Sequence, residues 1–305
     1  AVPHTTTRGM AQPSALPIAS ADVKRELASS DDRVVTAAAS ALGALAVRVQ
    51  LPTDFAALVD DLMDALERDG AKTGKKDARK LASVLAALSG LCASVDGARG
   101  RALDRGAAAT VTREALGANE DGANDEEMDA VRVNALDFFR FLQHDDDRRG
   151  FEAVRGDSRC MAFVLASARE RGSREMDFMK RVGGVDLVVN FAQQVAADDE
   201  KFDALIREGA FEVFTHALLA DEDEVTVRGL IGLACALPRR RALRVKLAED
   251  GECVRRLATL MGSSTDESLK GFAGGLFRAL ALDPETKGLV EKALREGGAG
   301  VLQTA

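Results

Sequence analysis

Ile206-Arg207-Glu208-Gly209 closes one apolar stretch, and Phe211-Glu-Val-Phe214 opens the next. The same shape, an apolar residue, two mostly charged residues and a glycine, returns at Leu103-Asp-Arg-Gly106, Ala153-Val-Arg-Gly156, Ala248-Glu-Asp-Gly251 and Leu294-Arg-Glu-Gly297. The glycines recur about every 42–53 residues, so one structural unit is repeated along the chain. Within the units apolar residues fall at steps of three and four, as in Val34-Val35, Ala38, Leu42, Leu45, Val49 and again in Phe55, Leu58-Val59, Leu62-Met63, Leu66, which is helical spacing. Pro238 follows Leu230 to Leu237, and Pro284 follows Leu276 to Leu282. Proline lacks an N–H and suits a helix start, so each marks the turn from a long helix into a short one. The short helix ends at Gly251 or Gly297, where a sharp turn favours a residue able to take positive φ. Ser264-Thr-Asp-Glu267 has capping-box spacing and starts a long helix.

The order within a unit is therefore short helix, glycine turn, medium helix, loop, long helix. A helical period of roughly 40–47 residues marks an α-solenoid, and three helices per unit point to armadillo rather than two-helix HEAT repeats. The expected fold is all-α, an armadillo-like right-handed superhelix of roughly six to seven repeats over residues 31–305. Its long helices are expected to line a concave face. Residues 1–30 are expected to be a disordered arm, because the first twenty residues hold three of the six prolines, Thr5-Thr6-Thr7 and no apolar periodicity. The acidic stretch Gly117 to Asp129 reads as an exposed loop.

Bulk composition agrees. Hydrophobic residues make up 46% of the chain and aromatic ones only 4%, with no Trp or Tyr, a mix that favours closely packed helices over strands. A net charge of −8 argues against a nucleic-acid partner, and Arg239-Arg240-Arg241 and Lys72 to Lys80 read as solvated helix ends. No apolar run is long enough to span a bilayer, so no membrane insertion is expected. Cys92, Cys160, Cys235 and Cys253 lack zinc-site spacing and read as structural thiols in a reducing, cytoplasmic setting. If the N-terminal arm is the remnant of a targeting peptide, the setting is organellar instead. His4, His144 and His216 form no catalytic spacing, and Gly183-Gly184 and Gly274-Gly275 read as close helix packing rather than phosphate loops. No enzyme activity, cofactor or metal is expected. The chain reads as a scaffold that presents a surface to a protein partner.

Armadillo repeats that grip extended peptides, as in nuclear import adaptors, carry an Asn ladder with Trp one turn away. Matching the run Ala-Leu-x-x-Leu puts Gly90, Phe141, Gln194, Cys235 and Arg278 at the ladder sites, none of them Asn. Residues 175–300 instead resemble the armadillo-type nucleotide exchange factors of DnaK-class heat-shock chaperones. The resemblance is carried by Met176-Asp177-Phe178 ahead of Gly183-Gly184 and by Gln193-Gln194 ahead of a short helix and Gly209. Asp223 to Leu230 and Pro284-Glu-Thr-Lys-Gly288 continue it. Gln194 and Arg278 stand where the family has Asn. The resemblance implies a partner, the ATPase domain of a DnaK-class chaperone, whose ADP release is accelerated by preferential binding of the open conformer. On either reading Asn190, Gln194, Arg228, Ile231 and Arg278 are expected to face the partner from the long helices.

Overall fold

The computed structural model describes residues 18–69, 77–116, 125–143 and 148–296. Helices α1 (Ser20–Leu27) and α2 (Asp32–Arg48) open the fold. Five triplets follow. They are the 3-10 turn Thr53–Ala57 with α3 (Leu58–Asp69) and α4 (Ala78–Ser94), then α5 (Ala98–Asp104), α6 (Ala107–Leu116) and α7 (Asp125–Leu142), then α8 (Arg149–Arg155), α9 (Ser158–Ala168) and α10 (Glu175–Val195). Helices α11 (Asp199–Arg207), α12 (Ala210–Leu218) and α13 (Asp223–Ala236) form the fourth, and α14 (Arg241–Glu249), α15 (Gly251–Ser263) and α16 (Glu267–Leu282) the fifth, before α17 (Lys287–Glu296). No strand occurs among the described residues.

The long helices α2, α4, α7, α10, α13 and α16 stack each on the next. The medium helices α3, α6, α9, α12 and α15 form a second layer in the same order, and the short helices a third. One apolar core runs through the whole stack, from Val23 to Leu294. Each leucine or phenylalanine fully buried in it contributes about 1.5–3 kcal/mol.

Aspartate starts many of these helices. The carboxylates of Asp31, Asp77, Asp157, Asp198, Asp250 and Asp266 each accept from a backbone N–H of the first turn. Such a cap contributes about 1 kcal/mol. These caps also change the glycine-turn reading. Gly106 and Gly209 do take left-handed backbone, at φ 63° and 105°. At Gly156 the backbone stays right-handed and Asp157 turns the chain, while Gly251 is already helical behind the Asp250 cap. Likewise Asp266, not Ser264, caps α16, its Oδ1 accepting from Ser268 N at 2.7 Å.

Two further expectations are corrected. The arm expected over 1–30 is helical at Ser20–Leu27, because Val23 and Leu27 bury one edge of α1 against the first long and medium helices. Asp129, expected in an exposed loop, is 1% exposed. It belongs to α7 and joins Asp177 and Glu170 around the Lys180 ammonium, at 3.0, 3.0 and 3.2 Å. Burial pulls that ammonium down, but its three carboxylate partners outweigh burial and hold it above the usual lysine value. Residues 1–17 of the arm, with His4, then His144 and the acidic run after it, residues 72–76 of the first basic cluster, residues 117–124 and Gly297 onward lie outside the described residues.

Candidate binding face on the long helices

Burial recurs on the long helices at one spacing, in Leu136-Phe138-Phe139-Leu142, Leu230-Gly232-Leu233-Ala236 and Gly274-Leu276-Phe277-Leu280. On α4 and α10 the spacing occurs twice, as Leu85-Ala87-Leu88-Leu91 and Ser89-Leu91-Cys92-Val95, and as Val185-Leu187-Val188-Phe191 and Val189-Phe191-Ala192-Val195. The residue before the last of each set is Phe141, Cys235 and Ala279, with Gly90 and Ser94 on α4 and Asn190 and Gln194 on α10. Arg278 therefore stands one residue from the matching position on α16. In helices this rich in Ala and Leu the pattern returns on neighbouring turns, and both amides of α10, Asn190 and Gln194, stand at such positions.

The structure places the five candidate residues unevenly. Asn190, Gln194, Arg228 and Ile231 are half-buried on the exposed flank of α10 and α13. The amides of Asn190 and Gln194 make no hydrogen bond to the described protein. Arg228 is not free. Its Nε donates to Asp186 at 3.0 Å, and its Nη1 lies 3.3 Å from Glu224. Arg278 is exposed on α16 and its Nε turns back to Gly274 O at 3.1 Å. Arg228 thus pairs with Asp186 on α10, one turn before Asn190, Ile231 follows Arg228 by one turn on α13, and Arg278 lies on the next long helix.

Sequence reading missed the acidic partners. Arg140 lies 3.2 Å from Asp137 and 4.0 Å from Asp186, and Asp186 holds Arg228 in turn. Asp137, Arg140, Asp186, Arg228 and Glu224 form one alternating chain across α7, α10 and α13. Burial, above all, lifts the Asp137 carboxyl above the usual range, and Asp186 adds to this against the pull of Arg140. Beneath the chain lies a cavity of about 210 Å³ between α7 and α10. Its floor is apolar and includes Phe178 and Met179, the latter 40% exposed. Toward the N-terminus the same face is paved with small residues, Ala37, Ala41 and Ala44 on α2 and Ala82, Ser83 and Ala86 on α4.

Other clusters of polar side chains among the described residues are engaged within the fold. A larger cavity, about 470 Å³, sits where the α9–α10 and α12–α13 loops meet. Its arginines cap carbonyls, as Arg181 Nη1 does to Glu170 O at 3.0 Å, or pair across it, as Arg181 does with Glu222. His216 contacts Arg171 there, and burial, with Arg171 and Arg169, lowers its imidazole. No metal-binding group of His, Cys, Asp or Glu occurs among the described residues. Burial pushes the Cys92 and Cys160 thiols up to about 12, and that of Cys253 higher still, so they are poor nucleophiles. In the basic run, Arg240 lies over the Phe202 ring at 3.9 Å and pairs with Asp199 and Asp203, and Arg241 pairs with Glu285. No described helix is long and apolar enough to cross a membrane.

Solved structures share this architecture. A computationally designed armadillo repeat protein for modular peptide recognition superposes with a TM-score of 0.62 at 17% identity, covering 85% of this chain and 98% of that one. The fold is an armadillo-type solenoid. A designed armadillo repeat protein in complex with the peptide (KR)4 gives a TM-score of 0.59 at 15% identity, over 84% and 98% of the two chains. An engineered protein gives 0.58 at 17% identity, over 90% and 97%. No protein-family model matches the chain, and no curated protein matches it in sequence.

Proposed function

We propose that the protein is a protein-interaction module that binds an extended segment of a partner along the long-helix face, and that it acts by binding rather than catalysis. The observation that carries this is Asn190. Its half-buried amide makes no hydrogen bond to the described protein and follows Asp186, the partner of Arg228, by one turn of α10. A free side-chain amide offers a donor and an acceptor together, the complement of one peptide unit. The designed proteins of the same fold support the reading, one made for peptide recognition and one solved with a bound peptide.

The test is a peptide-display selection on the purified protein. Selected peptides are then titrated against wild type, Asn190→Ala, Asp186→Arg and, on the short-helix layer, Arg101→Ala. Losses of about 1–3 kcal/mol are expected for the two face variants and none for Arg101→Ala. Equal affinity for all four proteins sinks the proposal.

A narrower form of the reading has the ATPase domain of a DnaK-class chaperone as partner and faster ADP release as outcome. Its support is the order of motifs, which fall on the end of α10, on α13 and on the α16–α17 turn. Release of a fluorescent ADP analogue from such a domain decides it. Acceleration by wild type but not by Asp186→Arg supports exchange, and no acceleration by folded wild type removes that form while leaving the general module.

A further inference from the structure

Position 183 is where the long-helix face lacks a rung. Gly183 stands two residues before the buried set Val185-Leu187-Val188-Phe191, as Asn134 and Arg228 stand two residues before the same pattern on α7 and α13. Both of those side chains reach back to the preceding long helix. Asn134 Nδ2 donates to Ala82 O at 2.9 Å, and Arg228 Nε to Asp186 at 3.0 Å. Glycine at 183 reaches nothing, although a Cβ built there would come within 3.1 Å of Leu136 Cβ. The missing side chain opens the cavity of about 210 Å³ between α7 and α10. Val133, Leu136, Phe178, Met179 and Val182 line it. It has room for a side chain and not for a folded element.

The rim has a sign. Asp137, Asp186 and Glu224 bring three carboxylates to it, and Arg140 and Arg228 two guanidiniums. One negative charge is left over. A cation beside the cavity completes the alternation of the chain, and an added carboxylate there would meet like charge, which disfavours binding. Apolar lining selects an aliphatic side chain, because a polar one would lose its water without gaining a partner.

We infer that this cavity is an anchor pocket for a leucine-sized aliphatic side chain of a partner segment whose flanking residues are lysine or arginine. The inference rests on the proposed binding reading and gives it a specificity. The binding energy comes from removing the leucine and the exposed Met179 from water, and the flanking cations set which segments are admitted.

The probes are three fluorescein-labelled twelve-residue peptides in a Gly-Ser background, with central Lys-Leu-Lys, Lys-Ala-Lys or Glu-Leu-Glu. Fluorescence anisotropy reads affinity, and the methyl resonance of Met179, assigned with Met179→Leu, reads location. The Lys-Leu-Lys peptide is expected to bind about ten-fold or more tightly than Lys-Ala-Lys, as burial of one aliphatic side chain implies, and more tightly than Glu-Leu-Glu, whose carboxylates meet like charge on the rim. It is also expected to move the Met179 methyl. Gly183→Leu fills the cavity and should lose that advantage. Met179→Ser, at an exposed position that the core does not depend on, should lose several-fold. Equal binding of the Lys-Leu-Lys and Lys-Ala-Lys peptides overturns the inference, as does an unmoved Met179 methyl. If display-selected peptides bind the face in an Asn190-dependent way while none of the three probes binds, the anchor is overturned and the binding reading stands. If neither set binds, both fall.

Discussion

Gly184 and Gly275 lie in equivalent layers, yet replacing each by alanine should move stability in opposite directions. Alanine gains about 0.5–1 kcal/mol over glycine inside a helix at either place. At Gly275, on α16, nothing lies within 4 Å of an added Cβ, so Gly275→Ala should stabilise by about that amount. At Gly184, on α10, the Cβ would stand 2.8 Å from Ala168 Cα and 2.9 Å from the Ser167 carbonyl carbon, both backbone atoms at the end of α9. Backbone cannot rotate away, so two packed helices must separate, and overpacking of this kind costs about 1–3 kcal/mol. The net expectation for Gly184→Ala is a loss of up to about 2 kcal/mol, and the two variants should differ by the overpacking cost alone, about 1–3 kcal/mol. Urea denaturation followed by far-UV circular dichroism measures this, with midpoints compared at unchanged m-value. If Gly184→Ala stabilises the protein as much as Gly275→Ala does, α10 does not approach the end of α9 as described, and the glycine argument fails.

Removing the buried lysine by Lys180→Met leaves the buried carboxylates of Asp129 and Asp177 to Arg174 and Arg132 alone and should destabilise by about 1–3 kcal/mol, read by the same titration. Asp137 has its carboxyl raised, so the folded state holds that proton more tightly than the unfolded chain. The charged carboxylate then opposes folding, an effect absent at low pH that develops as pH rises through the folded value. Asp137→Asn should therefore raise the melting temperature at pH 7 and leave it unchanged at pH 3, and a lowered value at pH 7 would show that pairing with Arg140 outweighs burial. In native protein a thiol reagent should label Cys235, which is half-buried, well before Cys92, Cys160 and Cys253, with all four reacting only after denaturation.

The repeat architecture was legible because the signals that carry it are local. Gly209 takes the positive φ its turn needs, and Pro238 and Pro284 lie in the turns after α13 and α16. Where the reading slipped, the deciding term was not local. Asp157 and Asp250 do a turn's work beside Gly156 and Gly251, and only hydrogen-bond geometry says which neighbour acts. Asp129 looked solvated within an acidic stretch because two of its partners, Lys180 and Arg174, lie about fifty residues away in sequence. On the candidate face, Arg228 was recognisable as a surface cation, but Asp186 and Glu224, which occupy it, were not. Gly183-Gly184 read as one packing feature. The structure divides it, with Gly184 pressed on α9 and Gly183 opening a cavity toward α7.

The change in paving along the long-helix face gives the molecule a direction. Its first two long helices offer mostly small side chains, Ala37, Ala41, Ala44, Ala82, Ser83 and Ala86, with Val47 exposed near the end of α2. The next three offer ionised groups and a hollow. Reversing a segment laid along the stack would exchange the ends that meet the smooth and the ionised halves. The surface is thus graded as well as polar: beyond the chain direction that any repeat stack can sense, it sets which end of an uneven segment lies on which half, and that gradient arises from the divergence of the repeats.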